Sequence, residues 1–175
     1  MPIPSTYYQW ELLRIALGDL PKRSAFSPEA LTFRLMDWLS KPQNLELTPD
    51  LANYLLVGDD VRRFELAARI ADLFDQYLVY RPDWVAAWER GNTLGLGSDE
   101  GWQSLLWREM VSCVQEPHRA NLIEHLLQRL DSVGVKARLP ERLLLFGISS
   151  LPPVFLQIIK ELAKHCKVLI AGSLE

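Results

Sequence analysis

A helical spacing of hydrophobic residues runs through the middle of the chain and is most regular between Arg62 and Gly91. Apolar side chains recur there every three or four residues and form two adjacent rows. The rows consist of Leu66, Ile70, Leu73 and Tyr77, and of Ala67, Ala71, Phe74 and Leu78. Two adjacent rows predict a helix with one broad apolar face, wide enough to pack against more than one neighbour.

Proline and glycine divide this stretch into two helices. Pro82 ends the first helix, because proline lacks a backbone N–H and clashes with the preceding turn. Asp83 is predicted to open a second, short helix that carries Trp84 and Trp88, and Gly91 closes it. The pattern therefore predicts a buried helical hairpin.

Start and stop signals predict further helices before and after the hairpin. They are a helix over residues 5–17, helices opened by Ser27-Pro28 and by Thr48-Pro49, and helices over about 102–115 and 120–131, the last ended by Gly134. Boundaries predicted in this way carry an error of about two to four residues. Between the hairpin and the following helix, a glycine-rich stretch predicts a mobile loop over residues 92–101.

The pattern changes after Pro140. Residues 142–148 and 167–171 are short apolar runs typical of strands in a parallel sheet, and Pro152-Pro153 starts a helix between them. Strand, helix and strand joined by short loops predict a right-handed parallel crossover. The predicted fold is mainly α with a C-terminal βαβ unit of α/β type. We expect a helical domain over residues 1–138 and a partial parallel βαβ unit over 139–175.

Composition and charge place the chain among globular proteins and limit its partners. Hydrophobic residues make up 49% and charged residues 23% of the chain, which provides material for a substantial core. The net charge is −3, with −3 in residues 1–90 and 0 in residues 91–175, so neither half predicts a nucleic-acid surface by charge alone. No run of about 18 apolar residues could span a bilayer, so no membrane contact is expected.

Catalytic and metal-binding patterns are absent from the sequence. A phosphate-binding GxxxxGK[ST] loop is missing. His118, His125 and His165 lack metal-ligand spacing, so we expect them at the surface or at helix ends. Cys113 and Cys166 belong to no CxxC pair, which agrees with a reducing cytoplasm, and Cys113 is expected to be a buried thiol. We therefore predict no catalytic residue, no metal and no cofactor.

Three sequence blocks carry a resemblance to a known family. They are residues 24–27 (SAFS) with 31–36 (LTFRLM), residues 71–84 (ADLFDQYLVYRPDW), and residues 147–149 (GIS) with 151–154 (LPPV). In this order they resemble the RecC family, the gamma subunits of exodeoxyribonuclease V. Because three blocks in the family's order span most of the chain, the resemblance is specific.

The resemblance implies a fold and a role. It implies a degenerate superfamily 1 helicase-like fragment, in which residues 1–138 are a 1B-like insertion with flanking helices and residues 139–175 part of the 1A-like domain. An active helicase places an acidic pair after such a strand to hold magnesium, whereas residues 146–149 (FGIS) carry none. The chain is then expected to be a non-catalytic component of an ATP-dependent exodeoxyribonuclease V complex. Its implied partners are RecB-like and RecD-like subunits and single-stranded and duplex DNA.

Residues 58–63 (GDDVRR) are the best candidates for contacts with bases. A carboxylate can accept a hydrogen bond from the exocyclic amine of cytosine, and arginine can donate two hydrogen bonds to guanine. The resemblance implies that Asp59, Asp60, Arg62 and Arg63 bind DNA and recognise Chi as unwound single strands are guided through the complex during double-strand break repair by homologous recombination. The structural explanation is that Asp60 caps the central helix, Asp59 adds charge at its N-terminus and the arginines are solvated. The alternative function is a helical scaffold that contacts partner subunits without touching DNA.

The missing P-loop and the missing acidic pair lead to a first prediction. The purified chain is expected to show no ATPase and no nuclease activity, because no group is placed to hold magnesium against phosphates. The measurement is release of phosphate from ATP with magnesium and DNA present. Turnover that follows the chain through every purification step would contradict the prediction.

Overall fold

The computed structural model describes residues 5–18, 20–57, 59–146 and 152–171. Its backbone contacts divide the chain into two compact units. Unit 1 consists of Met1–Ser24 and Arg119–Glu175, and unit 2 consists of Ala25–His118. Unit 1 is therefore assembled from both ends of the sequence, whereas unit 2 is one continuous segment.

Ten helices and two strands make up the regular structure of the described residues. In chain order these elements are α1 (Ser5–Leu17), α2 (Pro28–Leu39), α3 (Pro42–Leu45), α4 (Pro49–Leu55), α5 (Asp60–Tyr80), α6 (Pro82–Glu89), α7 (Glu100–Ser112), α8 (Arg119–Arg129), α9 (Val133–Lys136), β1 (Arg142–Phe146), α10 (Pro153–Leu162) and β2 (Lys167–Ala171). The fold is mainly helical with a small parallel sheet, which confirms the predicted class at this level.

Serine and proline start helices of unit 2 largely as predicted. The Ser27 hydroxyl accepts a hydrogen bond from the Ala30 backbone N–H at 3.3 Å and caps α2. The prediction that Asp83 opens α6 is wrong by one residue. The helix begins at Pro82, because proline needs no N–H partner in the first position and its φ already suits a helix. Asp83 lies inside the first turn and pairs with Arg81 at 2.8 Å.

One of the two predicted apolar rows of α5, the row that contains Phe74, is buried as predicted. In the other row only Ile70 is buried, and its remaining members are half-buried. The α5 helix packs against α2 and α6, and α6 packs against α7. The buried α5 side chains are those of Ala67, Ile70, Ala71, Phe74, Leu78 and Val79. Phe74 is 0% exposed and meets the Trp107 ring edge-on, with 5.2 Å between ring centroids. Aromatic contacts of this kind add to the stabilisation from buried area.

A buried histidine completes this core. His118 directly precedes α8, which agrees with the expected helix-end position, but its side chain is buried. His118 is 1% exposed and stacks edge-on against Phe26 and Trp107. Its Nε2 lies 2.7 Å from Glu89 Oε1, which also accepts from Trp107 Nε1 at 3.0 Å. A carboxylate that accepts two hydrogen bonds makes burial of the imidazole tolerable, and the sequence spacing of these residues gives no sign of it.

A second carboxylate, that of Glu100, forms hydrogen bonds with the glycine-rich loop that the sequence predicts to be mobile. Glu100 is buried and accepts from the Leu94 and Leu96 backbone N–H groups at 2.6 and 2.9 Å. It also accepts from Trp88 Nε1 at 2.9 Å. The positive φ of Gly95, +73°, lets the chain turn so that both amides reach one carboxylate. The loop is therefore fixed at two backbone amides.

Unit 1 has a separate core, in which α1 packs against α8 and α9, and α10 packs against α8. Its fully buried residues include Leu13, Ala16, Leu126, Ile158 and Leu162. The strands β1 and β2 are parallel and pair from Arg142 with Lys167 to Phe146 with Ala171, as predicted. The handedness of the crossover stays a prediction.

Two local expectations in the later helices are wrong. Gly134 does not end α8, because α8 stops at Arg129 and Gly134 lies within the short helix α9. Cys113 is exposed, because α7 ends at Ser112 and the thiol no longer follows the buried stripe of that helix. The boundary expected between residues 138 and 139 falls inside unit 1, where α9 packs against α1. That boundary stays a prediction.

Truncation of Phe74 tests the phase of the α5 face. Phe74→Ala is expected to lower the free energy of unfolding by about 3–5 kcal/mol, because it leaves a cavity beside Trp107. Phe33→Ala is the matched control, since Phe33 is 67% exposed, and should change it by less than about 0.5 kcal/mol. Urea titration measures both. Equal losses for the two variants would contradict the buried face.

The Glu89 network predicts a dependence of stability on pH. Burial raises the pKa of Glu89, but the hydrogen bond and charge of His118 and the Trp107 N–H outweigh it, so the pKa is lowered overall. A carboxyl group with a lowered folded-state pKa stabilises above its unfolded pKa of about 4.3, and this stability is lost as the pH falls.

Melting curves from pH 7 to pH 3 check this prediction. Glu89→Gln is expected to melt below wild type at pH 7, and the difference should shrink as the pH falls, because the wild-type carboxylate then gains a proton. Glu116→Gln is the control, since Glu116 is exposed. A constant difference between wild type and Glu89→Gln at every pH would contradict the prediction.

Candidate nucleic-acid interface

The proposed recognition residues lie where α5 begins. Asp59 directly precedes the helix in an extended conformation, and its Oδ1 accepts from the Arg62 backbone N–H at 3.0 Å. Asp59 is therefore the helix cap, and the prediction that Asp60 caps the helix is wrong. The side chain that reaches the free N–H groups of the first turn belongs to the residue before the helix, and Asp60 is already the first helical residue. Gly58 lies outside the described residues.

Asp60 and Arg63 form an ion pair within the first turn of α5. The Asp60 side chain is 80% exposed and that of Arg63 is 27% exposed. Pairs this open to water contribute little to stability, because solvent screens their attraction and their side chains lose freedom. A ligand can therefore replace the pair at a small energetic cost.

Arg62 is held by the residues before the helix. Its NH1 donates to the Val57 carbonyl oxygen at 3.2 Å, and its guanidinium carbon lies 4.4 Å from the centre of the Tyr54 ring. Contact between guanidinium and an aromatic face is attractive. The expectation that both arginines are simply solvated is therefore wrong, since each has a partner within the chain.

Exposed apolar side chains surround this site, and sequence reasoning missed them. They are Phe33, Leu56, Val57, Val61 and Phe64, which we name the apolar rim. Val57 is 85% exposed, and the rings of Phe33 and Phe64 lie 6.5 Å apart. The signal was present in the spacing of residues 57, 61 and 64, which marks a second apolar stripe at the start of α5. The stronger stripe that begins at Leu66 obscured it.

The chemistry available at this site is hydrogen bonding and charge rather than catalysis. In the part of the chain that the structure describes, no group of histidine, cysteine, aspartate or glutamate could hold a metal ion. No described helix is both long and apolar enough to cross a membrane. The expected end of the first strand and the glycine-isoleucine-serine turn fall on residues 147–151, which lie outside the described residues.

Comparison with known proteins assigns the chain to a family. Residues 2–172 match the sequence model of the family described as RecC, N-terminal domain. The chain is 39% identical over 175 residues to RecBCD enzyme subunit RecC of Escherichia coli, covering 95% of this chain and 16% of that protein. It is 30% identical over 194 residues to RecBCD enzyme subunit RecC of Haemophilus influenzae, covering 95% and 17%.

A third relative agrees with these two. The chain is 33% identical over 151 residues to RecBCD enzyme subunit RecC of Mycobacterium tuberculosis, covering 80% of this chain and 13% of that protein. The chain spans about one sixth of the length of the first two relatives. Because the match extends over nearly every residue and reaches 39% identity, the chain belongs to the RecC family and carries that family's N-terminal domain.

Proposed function

We propose that this chain is part of a non-catalytic RecC-type subunit of an exodeoxyribonuclease V complex. The observation that carries the proposal is the family match over residues 2–172. In this role the subunit guides unwound single-stranded DNA and recognises Chi during repair of double-strand breaks by homologous recombination in the cytoplasm. RecB-like and RecD-like partners supply the ATPase and nuclease chemistry.

A helicase-like fold without motor chemistry fits this role. The parallel β1–α10–β2 unit supports the proposal that residues 139–175 are part of a degenerate superfamily 1 helicase domain, with the helices of residues 1–138 as its insertion. Binding DNA requires phosphate contacts and a complementary shape rather than ATP hydrolysis. A helicase-like fold can therefore still bind DNA after the acidic pair is lost.

The start of α5 is the proposed recognition site. The Asp59 cap uses only Oδ1 of its carboxylate, and Asp60 projects into solvent from its exchangeable pair with Arg63. These carboxylates can accept from cytosine amines, while Arg62 and Arg63 can donate to guanine. A base that binds here replaces an exposed partner of the carboxylate or guanidinium group within the chain. Such a replacement costs little energy, so the contact can form and break as the strand passes.

A scaffold role is the second candidate, and the apolar rim favours it. Five large apolar side chains lie exposed around the same helix start. Patches of this kind commonly mark contacts with other proteins. In the scaffold role the surface packs against a partner subunit, and the charges of Asp60 and Arg63 lie at the edge of that contact.

Conservative substitution of the acids separates base reading from helix capping. Asp59→Asn keeps an oxygen acceptor for the Arg62 N–H and should leave the free energy of unfolding within about 0.5 kcal/mol. Asp59→Asn and Asp60→Asn each introduce a donor where only acceptors stood, so the Chi response should weaken or change while unwinding continues. General DNA affinity should hold or rise slightly, because a repulsive charge is removed.

The assay compares cleavage of Chi-bearing and Chi-free duplexes by the full-length subunit reconstituted with its partners. Asp50→Asn is the control, because Asp50 is an exposed acid in the first turn of the neighbouring helix α4. An unchanged Chi response in both variants, with the same melting temperature as wild type, would exclude the recognition role.

Substitution in the apolar rim tests the scaffold role. Val57→Asp and Val61→Asp place charges on exposed positions, so folding should be nearly unaffected. If the rim packs against a partner, co-purification of that partner with the subunit should fall at least about tenfold, because a buried unpaired charge is costly. Normal assembly together with an altered Chi response would favour base reading over the scaffold role.

A further inference from the structure

The two units differ strongly in charge. Unit 1 contains 11 lysines and arginines and 7 aspartates and glutamates, a formal charge of +4. Unit 2 contains 8 lysines and arginines and 15 aspartates and glutamates, a formal charge of −7. The net charge of −3 therefore conceals one basic and one acidic unit. A positively charged unit attracts a polyanionic partner such as a nucleic acid.

Much of the positive charge of unit 1 collects near one edge of its sheet. Arg142 and Lys167 are directly paired at the first position of the two parallel strands, and both are exposed. Neighbouring strands lie about 4.8 Å apart, so these two side chains are neighbours. Lys164 precedes β2 by three residues, and Lys160 lies in the last turn of α10. We call Lys136, Arg142, Lys160, Lys164 and Lys167 the basic edge.

Asp131 connects α9 to this edge. Lys136 lies 3.2 Å from Asp131 Oδ1, and His165 lies 3.6 Å from the same atom. The hydrogen bond from Lys136 holds the pKa of Asp131 below its usual range, and the charges of His165 and Lys164 act in the same direction. Three basic side chains thus surround one exposed carboxylate, and Lys164 also pairs with Glu161 at 2.6 Å.

Helix stabilisation accounts for only part of the edge. Lysines near the C-terminus of α10 oppose the negative end of the helix dipole, which explains Lys160 and Lys164. It does not explain Arg142 and Lys167, which begin strands, and it is weak for Lys136, which ends a helix of only four residues. A shared ligand for these cations explains the whole set.

We propose that the basic edge binds the phosphate backbone of DNA. This site lies on unit 1 and shares no residue with the recognition site at the start of α5. The five cations are exposed and come from separate elements or their flanks. Contacts of this kind supply affinity without reading sequence.

The place of the basic edge favours an extended phosphate chain over a nucleotide. The edge lies at the amino ends of the strands, whereas parallel sheets bind nucleotides at their carboxyl ends. The edge therefore suits an extended phosphate chain rather than a single nucleotide.

Fluorescence anisotropy with labelled 20-nucleotide single strands and 20-base-pair duplexes tests the proposal on the full-length subunit. The triple variant Arg142→Gln, Lys164→Gln and Lys167→Gln should bind DNA at least about tenfold more weakly at low salt. The slope of log affinity against log salt should fall by about 2 for single strands, because each neutralised phosphate contributes about 0.7 to that slope. The stronger response of the two DNA forms identifies the preferred one.

A matched triple variant in unit 2 provides the control. Lys41→Gln, Arg69→Gln and Arg90→Gln remove the same charge from exposed positions and should leave affinity within about twofold of wild type. Equal weakening of DNA binding by both triple variants would show that net charge alone causes the loss, and this would overturn the proposal. An unchanged affinity in the first variant would overturn it as well.

Removal of nearby acids gives the opposite change. Asp131→Asn with Glu161→Gln frees Lys136 and Lys164 and should raise DNA affinity several-fold. An unchanged or lower affinity would contradict the proposal. A polyglutamate peptide is the competing ligand, and tighter binding to it than to DNA of equal charge would assign the edge to an acidic protein segment. None of these assays uses Chi, so failure of the recognition site leaves their outcome unaffected.

Discussion

Burial of the broad face of α5 is the constraint on which unit 2 depends. The helix is 21 residues long, and its inner face packs against aromatic rings that arrive from later in the chain. Phe74 meets Trp107, and Tyr77 meets Trp88 at 5.6 Å. Large rings leave few alternative packings, because interiors are close to crystal density. The positions of α6 and α7 follow from this packing.

Indole groups in this core require polar partners, and two glutamates provide them. Glu100 accepts from Trp88, and Glu89 accepts from Trp107. Each carboxylate then binds a second element, the glycine-rich loop in one case and His118 in the other. Glu100 is buried and Glu89 is half-buried, and a carboxylate withdrawn from water is tolerated only when several donors bind it. The core is thus specified by hydrogen bonds as well as by apolar area.

The sequence predicts the elements better than it predicts their partners. The apolar rows of α5, the proline starts and the parallel strand pair follow from local spacing, and the structure has them. The Asp59 cap was missed by one residue, because two adjacent aspartates satisfy the same start rule. The burial of His118 was missed, because it depends on a residue 29 positions away along the chain. Local patterns carry no record of such partners.

The difference in charge between the two units is not visible in the two halves of the sequence, because it also depends on residues far apart along the chain. Unit 1 joins the first 24 residues to the segment that begins at Arg119, so a single cut of the sequence mixes its cations with the acids of unit 2. Once the units are separated, the two proposed kinds of DNA contact fall on different units. The proposed recognition site on unit 2 would offer exchangeable carboxylates and guanidinium groups to base edges, and the proposed site at the basic edge of unit 1 would offer fixed charge to phosphates. Nucleic-acid recognition generally divides in this way, because phosphate contacts set position and base contacts set specificity.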